Sequence, residues 1–230
     1  MSSQAGALHI LFIRHGETQD NIDRILQGHR DTSLTPKGHQ EAEVLAKKLK
    51  SQSIEAIYHS PLIRILQTID PVLRTHPDVA LYPENDLKGQ CLGELEGGSY
   101  DTVDMDNPRS ADGKPDVENF DDFVARLMRV MGKIVGVEAH RTESGTRRNV
   151  AVATHGVGIT SIIKALEERK IARRGPEVYE VRWPDSDDVA RLTVERPLEL
   201  PVKNGELIWE EVKGRPFLIE RWGKKEKALQ

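Results

Sequence analysis

The chain has 230 residues, 37% of them apolar and 30% charged, with a formal net charge of −4 at pH 7. That size suits one α/β domain with a proper core, or at most two small ones, and the mild acidity gives no sign of a nucleic-acid partner, so Arg147-Arg148 and Arg173-Arg174 read as solvated surface. No apolar run approaches the ~20 residues of a membrane helix, so no membrane partner is expected, and a single cysteine, Cys91, excludes an internal disulfide and suits a reducing compartment.

Residues 1–7 lack the charged and apolar regions of a secretory signal, so a cytoplasmic location is expected. Residues 8–13 then read Leu-His-Ile-Leu-Phe-Ile, a buried strand. Arg14-His15-Gly16-Glu17-Thr18 ends it abruptly, as a loop at the strand's carboxyl end, where open α/β sheets bind ligands. Arg carries a fixed fork of donors that matches phosphate, and neutral imidazole attacks or carries a proton near pH 7. An anion site and a plain surface loop both fit this pair taken alone. The polar stretch 19–33 holds Asn21, Arg24, Gln27-Gly28 and Arg30-Asp31. Its amides can donate to phosphate oxygens and its glycine permits close approach; ordinary surface polarity is the alternative.

Thr35 caps a helix with Pro36 at its first position, and Ala42, Leu45, Ala46 and Leu49 recur at helical spacing. Residues 54–59 read as a short strand. Ser60-Pro61 is expected to open the next helix by the same rule, with Leu62, Ile65, Leu66 and Ile69 on its inner face. Arg64 falls in its first turn, where it faces either an anion or solvent. Residues 79–82 fit a further short strand. Residues 84–122 are rich in Gly, Asp, Glu and Pro and are expected to form a lid or wall over the sheet edge, or else to be disordered.

A helix from 120 to about 137 carries Phe123, Leu127, Val130, Met131 and Ile134. Residues 149–154 form a second buried strand that ends in His155-Gly156 and leads into a helix to about 169. Two His-Gly pairs, each closing a buried strand, are far more specific than one. Residues 178–183, 189–195, 206–210 and 217–222 read as strands of a hairpin or meander that extends the sheet over 175–222. Its apolar strands fit either core packing, the favoured use, or the edge of a homodimer. Residues 224–230 read as a frayed tail.

Arg14-His15-Gly16-Glu17-Thr18, Asn21, Leu34-Thr35 with Gly38, Ser60-Pro61 with Arg64 and Gln67-Thr68, and His155-Gly156 follow one another in the order and spacing of the histidine phosphatase superfamily. The chain resembles its phosphoglycerate mutase-like branch over about residues 8–166. The resemblance implies one domain over residues 1–230, a three-layer α/β/α sandwich with a mostly parallel sheet. It implies that His15 is the nucleophile that becomes phosphohistidine. Arg14, Arg64 and His155 would surround the phosphoryl group, with Asn21, Gln27 and Gly28 lining the pocket. No metal or cofactor is expected, because two Arg and a His supply the charge and no residue cluster has metal-ligand spacing.

The sequence departs from the family at the general acid. Family members carry a Glu four residues before the first glycine of the segment that here reads Gly93-Glu94-Leu95-Glu96-Gly97; that position is Gly89. Glycine cannot protonate a leaving alkoxide. Three explanations fit: an introduced Glu→Gly change, a neighbouring carboxylate in its place, with Glu84, Asp86 and Glu94 as candidates, or a family member of weak or altered activity. The expected function is hydrolysis of a small phosphomonoester, a phosphorylated metabolite. The chain lacks an evident basic insertion for a second phosphate or carboxylate, which disfavours a mutase. A non-catalytic sensor of phosphorylated ligands and a pocket reused for another proton transfer are the remaining alternatives.

Overall fold

The strand that opens the chain is β1, Ala7–Arg14, and its apolar run is unbroken because both of its faces are covered. The computed structural model describes residues 6–104, 107, 109–143, 145–178, 189–195, 197–214 and 216–222. Leu8, Ile10 and Phe12 point into one core with Val150 and Val152, while Leu11 and Ile13 point into the other with Ala151 and Ala153. Residues two apart share a face of a strand, so each strand feeds both cores.

After β1 come a four-residue helix α1, Gln19–Ile22, and the longer α2, Pro36–Leu49, then β2, Ala56–His59, α3, Ile63–Thr75, and β3, Ala80–Pro83. Next stand α4, Phe120–His140, β4, Arg147–Thr154, α5, Gly156–Glu168, and β5, Ala172–Val178. The chain ends with β6, Val189–Glu195, a two-residue pair β7, Val202–Lys203, and β8, Glu206–Leu207, and β9, Phe217–Trp222. Seven strands form one sheet in the order β3-β2-β4-β1-β6-β9-β5. β1 to β4 run parallel, β6 runs against β1 and β9, and β5 runs parallel to β9. The sheet is therefore mostly parallel, between α2 and α3 on one face and α4 and α5 on the other, as a three-layer α/β/α sandwich requires. Among the described residues no helix is long and apolar enough to cross a membrane.

Three sequence expectations need correction. Ser60-Pro61 does not cap α3. The helix starts at Ile63 with Leu62 as N-cap and no local side-chain cap, and Asp31 accepts from the Ile63 amide at 2.6 Å across 32 residues. Leu66, placed on the inner face, is 41% exposed; Ile65, Ile69 and Val72, at i, i+4 and i+7, face the sheet instead. At the carboxyl end the sheet is extended, but a strand begins at Ala172 and joins the far edge beside β9 rather than forming a simple meander. Of the strand expected at 178–183, residues 179–183 lie outside the described residues, as does the tail 224–230.

Candidate active site

Strand register sets the geometry of the reacting centre. β1 and β4 are parallel neighbours with Arg14 opposite Thr154, so the next residues, His15 and His155, leave the sheet side by side. Their ring centroids are 5.4 Å apart, and each residue is 5% exposed. Gly16 lets the loop after β1 lie against α2: a Cβ on Gly16 would come within 2.7 Å of the Gly38 carbonyl. A Cβ on Gly38 would come within 2.2 Å of the Glu17 carbonyl. Both positions thus require glycine for close backbone packing.

His15 is held in one tautomer. Its Nδ1–H donates to the Gly16 carbonyl at 2.8 Å, which leaves Nε2 with a free lone pair. Burial, with the Arg64 and Arg14 charges added, holds the His15 pKa well below the ordinary imidazole value. His155 is held low by burial, Arg64 and His15. Both rings are therefore neutral at pH 7, and His15 presents a nucleophile rather than a cation. His155 Nε2 shares a hydrogen bond of 3.1 Å with the Ser60 hydroxyl at the end of β2. His155 is also the N-cap of α5 and makes no side-chain cap bond, so the positive end of that helix opens onto the same place.

Arg64, only 2% exposed, is aimed by the loop that follows α1. Its NH1 donates to the Arg30 carbonyl at 2.7 Å and its NH2 to the Gly28 carbonyl at 2.9 Å. Its Nε is buried without a hydrogen-bond partner among the described residues. Burial lowers its pKa to about 10, with the carboxylates of Asp31, Asp20 and Glu96 opposing that shift. It remains a cation at neutral pH.

Asn21 and Gln27 complete this end as donors. The Asn21 carbonyl oxygen accepts from the Thr18 amide and hydroxyl at 3.2 and 3.0 Å, in a capping box. The Gln27 carbonyl oxygen accepts from the Thr32 hydroxyl at 3.0 Å. In each case the acceptor is already used, and the NH2 group is what the side chain still offers. Arg14, His15, Asn21, Gln27, Gly28, Arg64, Gly89 and His155 all line one cavity of about 390 Å³. A cavity this size takes a ligand considerably larger than a phosphate ion.

The rest of the cavity is different in kind. Leu92, Val103, Phe120, Val124 and Val157 give it an apolar wall, and Thr160, Ser161 and Lys164 follow Val157 along one face of α5. The described residues of 84–122 supply much of the rest of the lining, among them Gly89, Gln90, Leu92, Tyr100, Val103 and Ala111, and the segment carries short 3₁₀ turns at Asn85–Leu87, Gly93–Leu95 and Tyr100–Thr102. Arg126 on α4 clamps this segment. It donates to the carbonyls of Asp86, Lys88 and Gly89 at 2.7, 3.2 and 3.2 Å and pairs with both oxygens of Glu118. Burial, the largest single influence, would raise the Glu118 carboxyl; Arg126, the Cys91 amide and His29 together outweigh it and hold the group below the usual range.

The carboxylates offered from sequence as substitutes for the acid are not at the cavity. Glu94 is exposed on its turn and does not line it. Glu84 pairs with Lys133 at 2.6 Å, and Asp86 faces Arg129 at 3.8 Å. None of the three is among the residues that line the cavity. Sequence reasoning passed over Ser60 as a partner of His155, Arg126 as a clamp, and the distal lining. The spacing Val157, Thr160, Ser161, Lys164 was a readable signal, because small and polar residues break the apolar face of an otherwise buried helix.

Fold and site together define an α/β protein whose sheet edge carries two neutral imidazoles inside a ring of anion-binding donors. The histidine phosphatase superfamily (branch 1) profile matches residues 10–179, and the chain belongs to that superfamily. It is 32% identical over 168 residues to a broad-specificity phosphatase of Saccharomyces cerevisiae, covering 70% of each chain. It is 29% identical over 171 residues to a 2,3-bisphosphoglycerate-dependent phosphoglycerate mutase of Bartonella quintana, covering 69% of this chain and 81% of that one. Among solved structures, YhfR of Bacillus stearothermophilus superposes with a TM-score of 0.65 at 26% identity, over 90% of this chain and 97% of that one.

Proposed function

We propose that the protein is a phosphatase that hydrolyses phosphomonoesters of small metabolites through a phosphohistidine at His15. The observation that carries this reading is the pairing of a free Nε2 on His15 with a surround made of donors. Arg14, Arg64, the NH2 groups of Asn21 and Gln27 and the α5 N-terminus answer the oxygens of a phosphoryl group. A phosphate oxygen at Arg64 would also satisfy its buried Nε. Nε2 would attack phosphorus in line, the leaving oxygen would depart, and water would then release orthophosphate from the ring. The phosphatase name of the yeast relative supports hydrolysis over transfer.

The test is labelling of His15. Brief exposure to a ³²P-labelled aryl phosphate and a quench in detergent at alkaline pH should leave label that is acid-labile and alkali-stable. His15→Ala should take up none and lose about four orders of magnitude or more of activity, as removal of a nucleophile does. A chain that binds orthophosphate but never labels is a sensor, and that result overturns the reading. Gly89, at the position where the family resemblance leads one to expect a Glu, leaves the leaving group without its usual proton donor. A weaker activity on alkyl phosphates follows, by about 10²–10⁴-fold.

A further inference from the structure

Nothing in the backbone requires glycine at position 89. Its φ is not positive, and the nearest atoms to a Cβ built there would be His155 Cγ at 3.6 Å, the Gly28 carbonyl at 3.7 Å and His155 Cδ2 at 3.8 Å. Those are ordinary contacts. A side chain at this position would project against His155 into the cavity, beside the point where a leaving group must exit. The chain leaves that space open and fixes it open. The Gly89 carbonyl accepts from His29 Nε2 at 2.9 Å and from Arg126 at 3.2 Å.

Among the described residues no carboxylic acid stands in for it. Among the described residues the carboxylates that line the cavity are Asp104, Asp121 and Glu168, and all three are exposed. Asp121 is paired with Arg109. Glu168 lies thirteen residues beyond His155 along α5, roughly 20 Å away at a helical rise. Glu96, under Gly28, accepts from the amides of His29 and Leu92 at 2.8 and 3.1 Å and is not part of the lining. Arg14 and Arg64 do not give up protons at neutral pH. Lys164, on α5 nine residues beyond His155, and Tyr100 line the cavity too, but both are far weaker acids than a carboxyl. The site therefore stabilises charge on the phosphoryl group but sets no carboxylic acid beside His155 to protonate the oxygen that leaves.

We propose that this active site selects phosphate compounds whose leaving group departs as a stable anion, namely aryl phosphates and acyl phosphates with a partly apolar body, and turns over alkyl phosphates poorly. This deepens the phosphatase reading and rests on it. The His15 Nε2 lone pair forms the N–P bond, and the P–O bond breaks with its electron pair going to a phenolate or carboxylate. The proton stays on Nδ1, donated in a hydrogen bond to the Gly16 carbonyl, so the phosphorylated ring carries the positive charge. Water then adds to phosphorus, the N–P pair returns to Nε2, and both protons of the water leave with orthophosphate as its monoanion. The leaving group's body would lie against Leu92, Val103, Phe120, Val124 and Val157.

The experiment measures kcat/KM for substituted phenyl phosphates of graded leaving-group acidity, with benzyl phosphate as an alkyl member of similar size and benzoyl phosphate as an acyl member. The wild type, Gly89→Glu, Gly89→Gln and His15→Ala are run in parallel, the last correcting for spontaneous hydrolysis. In the wild type the rate should fall steeply as the leaving group becomes more basic. Benzyl phosphate should lie at least about 10²-fold below phenyl phosphate, and 4-nitrophenyl phosphate and benzoyl phosphate should both exceed it. Gly89→Glu should raise benzyl phosphate turnover by about 10²–10⁴-fold and flatten the series; Gly89→Gln, of equal size but without an acidic proton, should not. A flat series in the wild type, with His15 still labelled, overturns this proposal and leaves the phosphatase reading intact. The wild-type series decides the matter even if neither Gly89 variant folds. Absence of label from every substrate overturns both.

Discussion

The two ends of the cavity are built by different means. The reacting end is made by parallel strands, whose register delivers His15 and His155 to one place with no loop to adjust. The distal end is assembled from the 84–122 segment, α4 and α5, tied together by Arg126 and by bridges such as Leu92 to Val117. One end is fixed by a sheet buried on both faces; the other depends on contacts across a surface segment. Chemistry sits where the backbone cannot drift, and selection among leaving groups sits where sequence can vary without disturbing it.

Breaking the reacting end should cost most. Arg64→Ala removes a phosphate donor and also the latch on the Arg30 and Gly28 carbonyls, so kcat/KM should fall by about 10²–10³-fold. Arg64→Lys should recover only part of this, because ammonium cannot reproduce the fork. If steady-state assays show Arg64→Lys equal to wild type, the planar donor arrangement is irrelevant and the comparison of the two ends loses its basis.

Filling the distal end should have a smaller and more selective effect. Val124→Phe narrows the apolar half, so KM for aryl phosphates should rise by roughly 10-fold or more, while inhibition by orthophosphate should stay within about twofold. An equal loss of orthophosphate binding would mean that the two ends are not separable.

The buried imidazoles make a prediction about pH. Unfolded His15 and His155 take up protons around the ordinary value of 6.5, whereas the native rings stay neutral until well below it. The unfolded state thus binds more protons, and stability falls as pH drops below about 6.5; above that value these groups contribute nothing. Thermal midpoints taken from pH 8 to 5 should decline on the acid side, and His15→Asn should make the decline shallower. An identical decline in that variant would show that His15 protonates as easily in the native state as in the unfolded chain.

The smallest change is Ser60→Ala. It removes a neutral hydrogen bond to His155 at 3.1 Å, worth about 1 kcal/mol or roughly fivefold in rate. A loss above a hundredfold would make Ser60 a direct participant instead of a positioning residue.

What the sequence determined by itself was whatever depends on neighbours in the chain. The apolar runs of β1 and β4, the Thr35 cap with Pro36, the helical periods and the two His-Gly endings are local patterns, and they place the two imidazoles at strand ends without any coordinates. Only the tertiary structure decided the rest. The cap of α3 comes from Asp31, the aim of Arg64 from the carbonyls of Gly28 and Arg30, and the hold on Gly89 from His29 and Arg126. Each of those hydrogen bonds joins residues more than thirty positions apart, and no period or motif records such a pairing. Glu84, Asp86 and Glu94 were candidate acids by proximity in sequence, yet none lines the cavity, and Glu84 and Asp86 face Lys133 and Arg129 instead. Proximity in the chain sets the conformation of an element; which side chains then meet is set by how the elements pack.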